Sequence, residues 1–276
     1  MVYKKAKVIG YPIAQSKSPQ LHGYWLKKYG IDGEYTKQEV KPENLEIVIR
    51  SLKSEGYVGF NTTVPHKEEI MKYLDQVSDI AKKIGAVNTV IIKDDIVYGT
   101  NTDGYGFVEN IKNTDPGFNF SLGPAIVLGA GGAARSIVVA LLNEGVPKVI
   151  ITNRTRERAE EIKKHLKDDA VEVVDWEKRN DVLSEGNLLV NTTTLGMDGQ
   201  PKLQIDLSNL PADALVCDIV YKPLITDLLS QAQQKGNKIV DGIGMLLYQA
   251  VPGFEAWFGK KPEVTEELRN LILNDK

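Results

Sequence analysis

The stretch that most constrains this chain runs from Ala125 to Leu142. Four apolar residues, Ala125-Ile126-Val127-Leu128, pass directly into Gly129-Ala130-Gly131-Gly132-Ala133-Ala134, and Arg135-Ser136-Ile137-Val138-Val139-Ala140-Leu141-Leu142 continues with helical character. A short apolar strand, a turn rich in residues without a Cβ and an apolar helix describe a βα unit of a parallel sheet. The G-x-G-x-x-A spacing lets backbone come close to a ligand, and the N-terminus of the following helix favours negative charge. The segment is therefore a candidate for the pyrophosphate of a dinucleotide, with a plain tight βα turn as the structural alternative.

The rest of the chain repeats the alternation. Short β-rich runs recur at 6–10, 35–40, 57–61, 89–92, 149–152, 188–191, 215–220 and 238–241, and helical spacings lie between several of them, such as Leu45, Val48, Ile49 and Leu52 closed by Gly56. Such alternation predicts an α/β fold with mainly parallel sheets. Pro116 and Gly117 interrupt both periodicities within Thr114–Asn119, which marks a linker, and a second boundary is expected near 238–245. The 276 residues carry 34 basic and 37 acidic side chains, net −3, without long blocks of one sign. That balance argues against nucleic acid and against a membrane surface as partners. No apolar run has membrane-spanning length and no signal-peptide core is present, so a cytoplasmic protein is expected. The single cysteine, Cys217, reads as a buried hydrophobe.

The strand Val149–Thr152 ends on Asn153-Arg154-Thr155-Arg156-Glu157-Arg158. A carboxylate there would hold the ribose 2′-hydroxyl of NAD, whereas a guanidinium pairs with a 2′-phosphate, so NADP is preferred. Arg154 and Arg158 are four apart and are expected on one helical face, with Arg156 pointing elsewhere. Two later strands meet small polar loops, Thr192 to Met197 and Tyr221 to Leu224, at the strand ends where ligands of open α/β sheets bind.

A nicotinamide enzyme also needs a surface that holds the alcohol or ketone. Gln15-Ser16-Lys17-Ser18-Pro19, Asn61-Thr62-Thr63-Val64-Pro65-His66-Lys67, Gly85-Ala86-Val87-Asn88-Thr89 and Gly99-Thr100-Asn101-Thr102-Asp103-Gly104 offer hydroxyls, amides and single charges suited to a polyhydroxylated acid. Taken in order, with the glycine turn, Asn153-Arg154-Thr155, Asn191-Thr192-Thr193, Gly196-Met197, Asp241-Gly242-Ile243-Gly244-Met245-Leu246 and Gln249, these motifs resemble the shikimate dehydrogenase family over roughly residues 7 to 258.

The resemblance implies reversible, NADPH-dependent reduction of 3-dehydroshikimate to shikimate in aromatic amino-acid biosynthesis, without metal. It implies a two-domain α/β fold: an N-terminal substrate-binding domain (1–114), a Rossmann-like NADP-binding domain with a parallel sheet (115–238), and a C-terminal segment (239–276) that returns to the first. By the same resemblance Lys67 and Asp103 are the catalytic pair, Ser16 and Ser18 hold the substrate carboxylate, and Thr63, Asn88, Tyr221 and Gln249 lie against the rest of the substrate. Asp79, Gly129, Ala130, Gly131, Gly132, Ala133, Asn153, Arg154, Thr155, Arg158, Thr192, Ile219, Gly242 and Met245 fall to the cofactor. The chain departs from the family pattern at Thr62, where valine is frequent, and at Gly23, where asparagine often follows His22. Thr62 points to the strand face opposite Thr63 and is expected to pack elsewhere.

Hydride transfer to a carbonyl builds charge on oxygen, and an ammonium within reach can stabilise and protonate it. Lys67 fits that role, with Asp103 orienting the amine. Pro65 reads as a helix start, which would set the Lys67 cation at an electropositive helix end. His66, the competing acid/base, is expected to be structural. Two other readings stay open: a quinate/shikimate dehydrogenase with relaxed NAD or NADP use, and a noncatalytic sensor of NADP(H) or shikimate on the same fold. A monomer or a homodimer is expected.

Overall fold

The structure is a computed structural model that describes residues 3 to 274. It forms two compact units, one built from residues through Thr102 together with those from Leu247 onward, the other from Asp103–Leu246.

The first unit contains β1 (Lys4–Gly10), α1 (Ser18–Lys28), β2 (Gly33–Glu39), α2 (Leu45–Ser54), β3 (Gly59–Thr62), β4 (Gln76–Val77), α3 (Asp79–Ile84), β5 (Thr89–Lys93) and β6 (Ile96–Thr100). Its sheet is ordered β2-β1-β3-β5-β6-β4. β1 runs parallel to β2 and β3, while β5 is antiparallel to both β3 and β6, so this sheet is mixed. The reason is the two-residue reversal Asp94-Asp95, with φ of 49° and 63°, which joins β5 to β6 as a hairpin. α2 buries Leu45, Ile49 and Leu52, the stripe its spacing predicts, against Phe60, Ile70 and Val90.

The second unit begins with α4 (Asp103–Thr114), followed by β7 (Ala125–Leu128), α5 (Gly132–Asn143), β8 (Val149–Asn153), α6 (Arg156–Leu166), β9 (Val171–Asp175), β10 (Leu188–Asn191), β11 (Leu215–Asp218), α7 (Asp227–Lys235), β12 (Ile239–Val240) and α8 (Ile243–Tyr248). All six strands are parallel, in the order β12-β11-β10-β7-β8-β9. The chain leaves β7 first toward β8 and β9 and then crosses to β10, so the carboxyl ends of β7 and β10 flank the switch point where such sheets bind ligands. Ala125 and Val127 face one apolar layer with Ile137 and Leu141. Ile126 and Leu128 face the other with Leu228 and Leu229. Burial on both faces explains why these strands read as unbroken apolar runs.

The division between the units falls at Thr102/Asp103, ahead of the Pro116-Gly117 stretch, because α4 packs backbone to backbone on α5: a Cβ on Gly104 would lie 2.7 Å from the Ser136 carbonyl oxygen. The return to the first unit comes inside α8, after Leu246, and continues as α9 (Ala250–Phe258) and α10 (Glu266–Leu273). In the first unit Phe254 and Trp257 are core residues, and the Trp257 indole donates to the Val90 carbonyl at 2.9 Å. No helix among the described residues is long and apolar enough to cross a membrane.

Candidate active site

In the first unit the end of β3 and the segments before β5 and after β6 form one polar lattice. Asn61 at the end of β3 accepts from the Tyr35 hydroxyl at 2.5 Å and donates to the Asn88 carbonyl at 3.0 Å and the Thr89 hydroxyl at 3.1 Å. The Asn88 side chain donates to the Thr102 hydroxyl at 3.1 Å and accepts the Thr102 N–H at 2.9 Å. It reaches Gln249 Oε1 at 3.4 Å, while the Thr102 hydroxyl donates to the Gln249 carbonyl at 2.8 Å. Asn61, Asn88, Thr89 and Thr102 are all buried. Amides held by several hydrogen bonds keep one rotamer, so the Asn88 and Gln249 side chains have fixed directions.

Lys67 is joined to this lattice through its backbone: its carbonyl accepts the Val87 N–H at 2.7 Å, which clasps the V-P-H-K turn to the segment that carries Asn88. This contact overturns the expected helix start at Pro65. Residues 64–68 form turns, the Val64–Pro65 bond is cis, and a 3₁₀ helix begins only at Glu69. An α-helix would need the Lys67 carbonyl for residue 71, and Val87 has taken it. The dipole argument for Lys67 goes with the helix; the half-buried side chain sits instead on a turn pinned at both ends. His66 is buried, with Nε2 donating to the Val40 carbonyl at 2.7 Å, so the imidazole anchors the turn. Thr63 is half-buried and its N–H bonds the Ile9 carbonyl at 3.0 Å. Ser16 and Ser18 stand at the start of α1, where the Ser16 hydroxyl accepts the Ser18 N–H at 3.4 Å and Ser18 hydrogen-bonds the Tyr35 hydroxyl. Asp79 opens α3, exposed, with Lys82 3.7 Å away. Of the two departures from the family pattern, Gly23 lies inside α1 and Thr62 is buried with its hydroxyl unpartnered among the described residues.

In the second unit Asp103 is the buried first residue of α4. Gly129 leaves β7 with φ of 111°, and a Cβ there would lie 2.6 Å from the Thr192 hydroxyl, so only glycine lets the turn pass the loop after β10. Thr192 donates that hydroxyl to the Leu128 carbonyl at 2.7 Å, tying the β7 and β10 ends together. Nothing lies within 4 Å of a Cβ built on Gly131 or Gly132. The N-cap of α5 is Gly131, which offers no side-chain cap. Ala130 and Ala133 complete an open backbone cradle at the end of a twelve-residue helix, the geometry an oxyanion group requires. After β8, the Asn153 side chain donates to the Thr155 carbonyl at 2.7 Å. α6 starts at Arg156, so Arg154 lies in the preceding turn and does not share a helical face with Arg158 as expected. The three arginines divide in another way. Arg156 bonds Asp175 at 2.6 Å and Glu160 at 2.8 Å, whereas Arg154 and Arg158 are exposed and have no side-chain partner among the described residues. A group bearing a 2′-phosphate fits this donor set. Ile219 and Gly242 meet: a Cβ on Gly242 would lie 2.4 Å from the Ile219 carbonyl oxygen. Met245 packs half-buried on the same apolar layer as Ile219, and Tyr221 is half-buried beyond the β11 end.

Sequence reasoning passed over Tyr35, Asn61 and Thr102 as supports of the polar lattice. The one available signal was Tyr35, an apolar ring among the polar residues of β2.

A parallel six-stranded sheet with a bare glycine turn after its switch-point strand, and unpaired arginines after the next, defines a dinucleotide-binding α/β protein that carries a second, polar-site unit. Comparison with known proteins is more specific. Residues 8–90 match the shikimate dehydrogenase substrate binding domain, 115–197 the shikimate / quinate 5-dehydrogenase domain, and 242–269 the shikimate 5′-dehydrogenase C-terminal domain. The shikimate dehydrogenase (NADP(+)) of Paramagnetospirillum magneticum is 52% identical over 270 residues, 98% of each chain. The crystal structure of shikimate 5-dehydrogenase from Thermus thermophilus in complex with NADP(H) and shikimate is 34% identical, covers 98% of each chain and superposes with a TM-score of 0.86. Quinate dehydrogenase from Corynebacterium glutamicum in complex with NAD is 30% identical, with a TM-score of 0.91 over 99% of each chain. The chain belongs to the shikimate dehydrogenase family.

Proposed function

We propose that this protein catalyses the reversible reduction of 3-dehydroshikimate to shikimate with NADPH. The observation that carries the reading is the end-to-end similarity to relatives named shikimate dehydrogenase (NADP(+)), half identical over 98% of the chain. The two exposed, unpaired arginines after β8 support NADP over NAD, and distinguish this chain's expected cofactor from that of the quinate dehydrogenase solved with NAD. NADP supplies or receives the hydride when bound. The backbone of Gly129, Ala130, Gly131, Gly132 and Ala133 would hold its pyrophosphate. Asn153, Arg154, Thr155 and Arg158 would hold the adenosine 2′-phosphate, while Thr192, Ile219, Gly242 and Met245 border the remainder. Asp79 is assigned to the cofactor by the resemblance.

On the substrate side, Ser16 and Ser18 would donate hydroxyls to the carboxylate and Thr63, Asn88 and Gln249 would fix the ring hydroxyls, while Tyr221 is assigned by the resemblance to a place beside the substrate. Lys67 carries the ammonium that stabilises the developing alkoxide and delivers its proton, then accepts it as an amine in the reverse direction. Asp103 is assigned to the same catalytic pair by the resemblance. Partners are small molecules, and a cytoplasmic enzyme acting as a monomer or homodimer completes the reading.

The deciding experiment compares NADPH formation from shikimate with NADH formation from quinate by the pure protein. Shikimate with NADP should be the preferred pair by at least about a hundredfold in kcat/KM. Preference for quinate or NAD would replace the reading with the relaxed dehydrogenase. Ligand binding without turnover would replace it with the sensor.

A further inference from the structure

Asp218 closes β11 and is buried, and three donors converge on its carboxylate. Asn191 Nδ2 at 3.0 Å and the Val220 N–H at 2.9 Å reach Oδ1, and the Thr226 hydroxyl at 2.7 Å reaches Oδ2. Asn191, wholly buried at the end of β10, extends the network. Its Oδ1 accepts the Thr193 N–H at 3.1 Å and the Thr193 hydroxyl at 2.7 Å, its Nδ2 also reaches the Leu195 carbonyl at 3.2 Å, and its own carbonyl accepts the Ile219 N–H at 3.1 Å. One carboxylate and one amide thus fasten the loops after β10 and β11 to each other, and Thr226 carries the tie into the N-cap of α7. Burial pushes the Asp218 carboxyl up to about 6 against the pull of these three hydrogen bonds, so the site holds an acceptor at a cost to its own ionisation. An apolar strand end would have closed the loops without that cost. A carboxylate is what three converging donors require.

Sheet order shows which part of a dinucleotide these loops face. The glycine turn follows β7, the unpaired arginines follow β8 on one side of it, and β10 and β11 lie on the other side. A dinucleotide with its 2′-phosphate beside Arg154 and its pyrophosphate on the turn has its nicotinamide half over β10 and β11.

We propose that Asp218 is a positioning residue that, through Asn191, sets the loops bearing Thr192, Ile219 and Tyr221 against the nicotinamide half of NADP. The proposal rests on the reading of this unit as the NADP site. Its test is equilibrium binding of NADP and of adenosine 2′,5′-bisphosphate, which carries only the adenosine half, to wild type and to Asp218→Asn, together with turnover of shikimate at saturation. The variant should bind the bisphosphate like wild type, bind NADP about tenfold more weakly and turn over more slowly by a similar factor. Either loss alone, with bisphosphate binding unmoved, supports the role, and the exchange Asn191→Asp with Asp218→Asn should recover part of it by restoring one donor opposite one acceptor. Unchanged NADP affinity and turnover, or equal weakening of both ligands, overturns it. If wild type binds neither ligand, the NADP reading fails instead. Should Asp218→Asn not fold, Thr193→Val removes the outermost hydroxyl of the network and is read by the same selective loss, about threefold, with equal loss or none overturning the proposal.

Discussion

The imidazole of His22 stacks on the phenol of Tyr35 with ring centroids 4.0 Å apart and planes 13° from parallel, and neither imidazole nitrogen has a hydrogen-bond partner among the described residues. Trp25, Phe254 and Trp257 surround the pair. An imidazolium there would lose its water without compensation, and burial pushes His22 down to about 3. The folded first unit therefore keeps His22 neutral while the unfolded chain protonates it below its ordinary 6.5. Since the unfolded state binds the extra proton, stability present above pH 6.5 is lost as pH falls toward 3, by about 1.4 kcal/mol per pH unit. Hydrogen exchange at β1 and β3, corrected for intrinsic rates, should show protection falling over this range. His22→Phe should flatten the slope, and an unchanged slope would refute the assignment.

Asp218 gives the second unit a slope of the other sign. Its carboxyl is raised to about 6 by burial, so between its ordinary 3.8 and 6 the folded state binds the additional proton. Its contribution is fully present below about pH 3.8 and is lost as pH rises through 6, an effect of up to about 3 kcal/mol. Protection of β10 and β11 should accordingly rise on mild acidification while that of β1 and β3 falls. Asp218→Asn should abolish the rise.

The two departures from the family pattern are sites of easy stabilisation. Thr62 buries a hydroxyl with no partner, so Thr62→Val should raise stability by about 1 kcal/mol. Gly23 sits within α1 with open space around a built Cβ, and Gly23→Ala should add roughly 0.5–1 kcal/mol. Urea midpoints would register both, with kcat unchanged. A lower midpoint for Thr62→Val would mean that the hydroxyl is satisfied in solution.

Cofactor choice should follow ion pairing among the three arginines. Arg154→Ala and Arg158→Ala should each raise KM for NADP by tenfold or more and leave KM for NAD nearly unmoved, because the lost partner is the 2′-phosphate. Arg156→Ala, whose guanidinium already serves Asp175 and Glu160, should change neither by more than about threefold. Equal effects of all three on NADP would show that the cluster acts as a diffuse field.

Lys67→Ala should lower turnover of shikimate by about a thousandfold with less than a fivefold change in its KM, the signature of a group that acts mainly in the transition state. His66→Gln should instead lower the melting temperature, since its ring anchors the turn through Val40, and keep turnover within tenfold. Near-normal turnover of Lys67→Ala would refute the assignment.

The parallel sheet was legible in the sequence because both its faces are buried: β7 and β10 begin and end at the residues that bound the β-rich runs 125–128 and 188–191. β6 was missed because its signal is a two-aspartate reversal rather than the usual Asn-Gly, and β9 because its surface alternation is short. Pro65 misled in the other direction. A proline after a strand commonly opens a helix, but the choice was made by the Val87 N–H, a partner twenty residues away that local sequence does not show. Candidate ligand groups were readable as motifs. Their supports, Tyr35, Asn61, Thr102 and Asp218, were not, because a buried hydrogen-bond network exists only once distant segments have met.

The first unit draws on both ends of the chain, and that has a consequence for a protein made from one end to the other. β1 to β6 leave the ribosome early, yet α9, whose Trp257 closes over Gly59 and bonds Val90, is translated only after every strand of the second unit. The nascent chain must therefore carry an unfinished apolar sheet while the nucleotide-binding unit, encoded in a single run, has all its parts in hand. During synthesis the later unit is the one equipped to fold first.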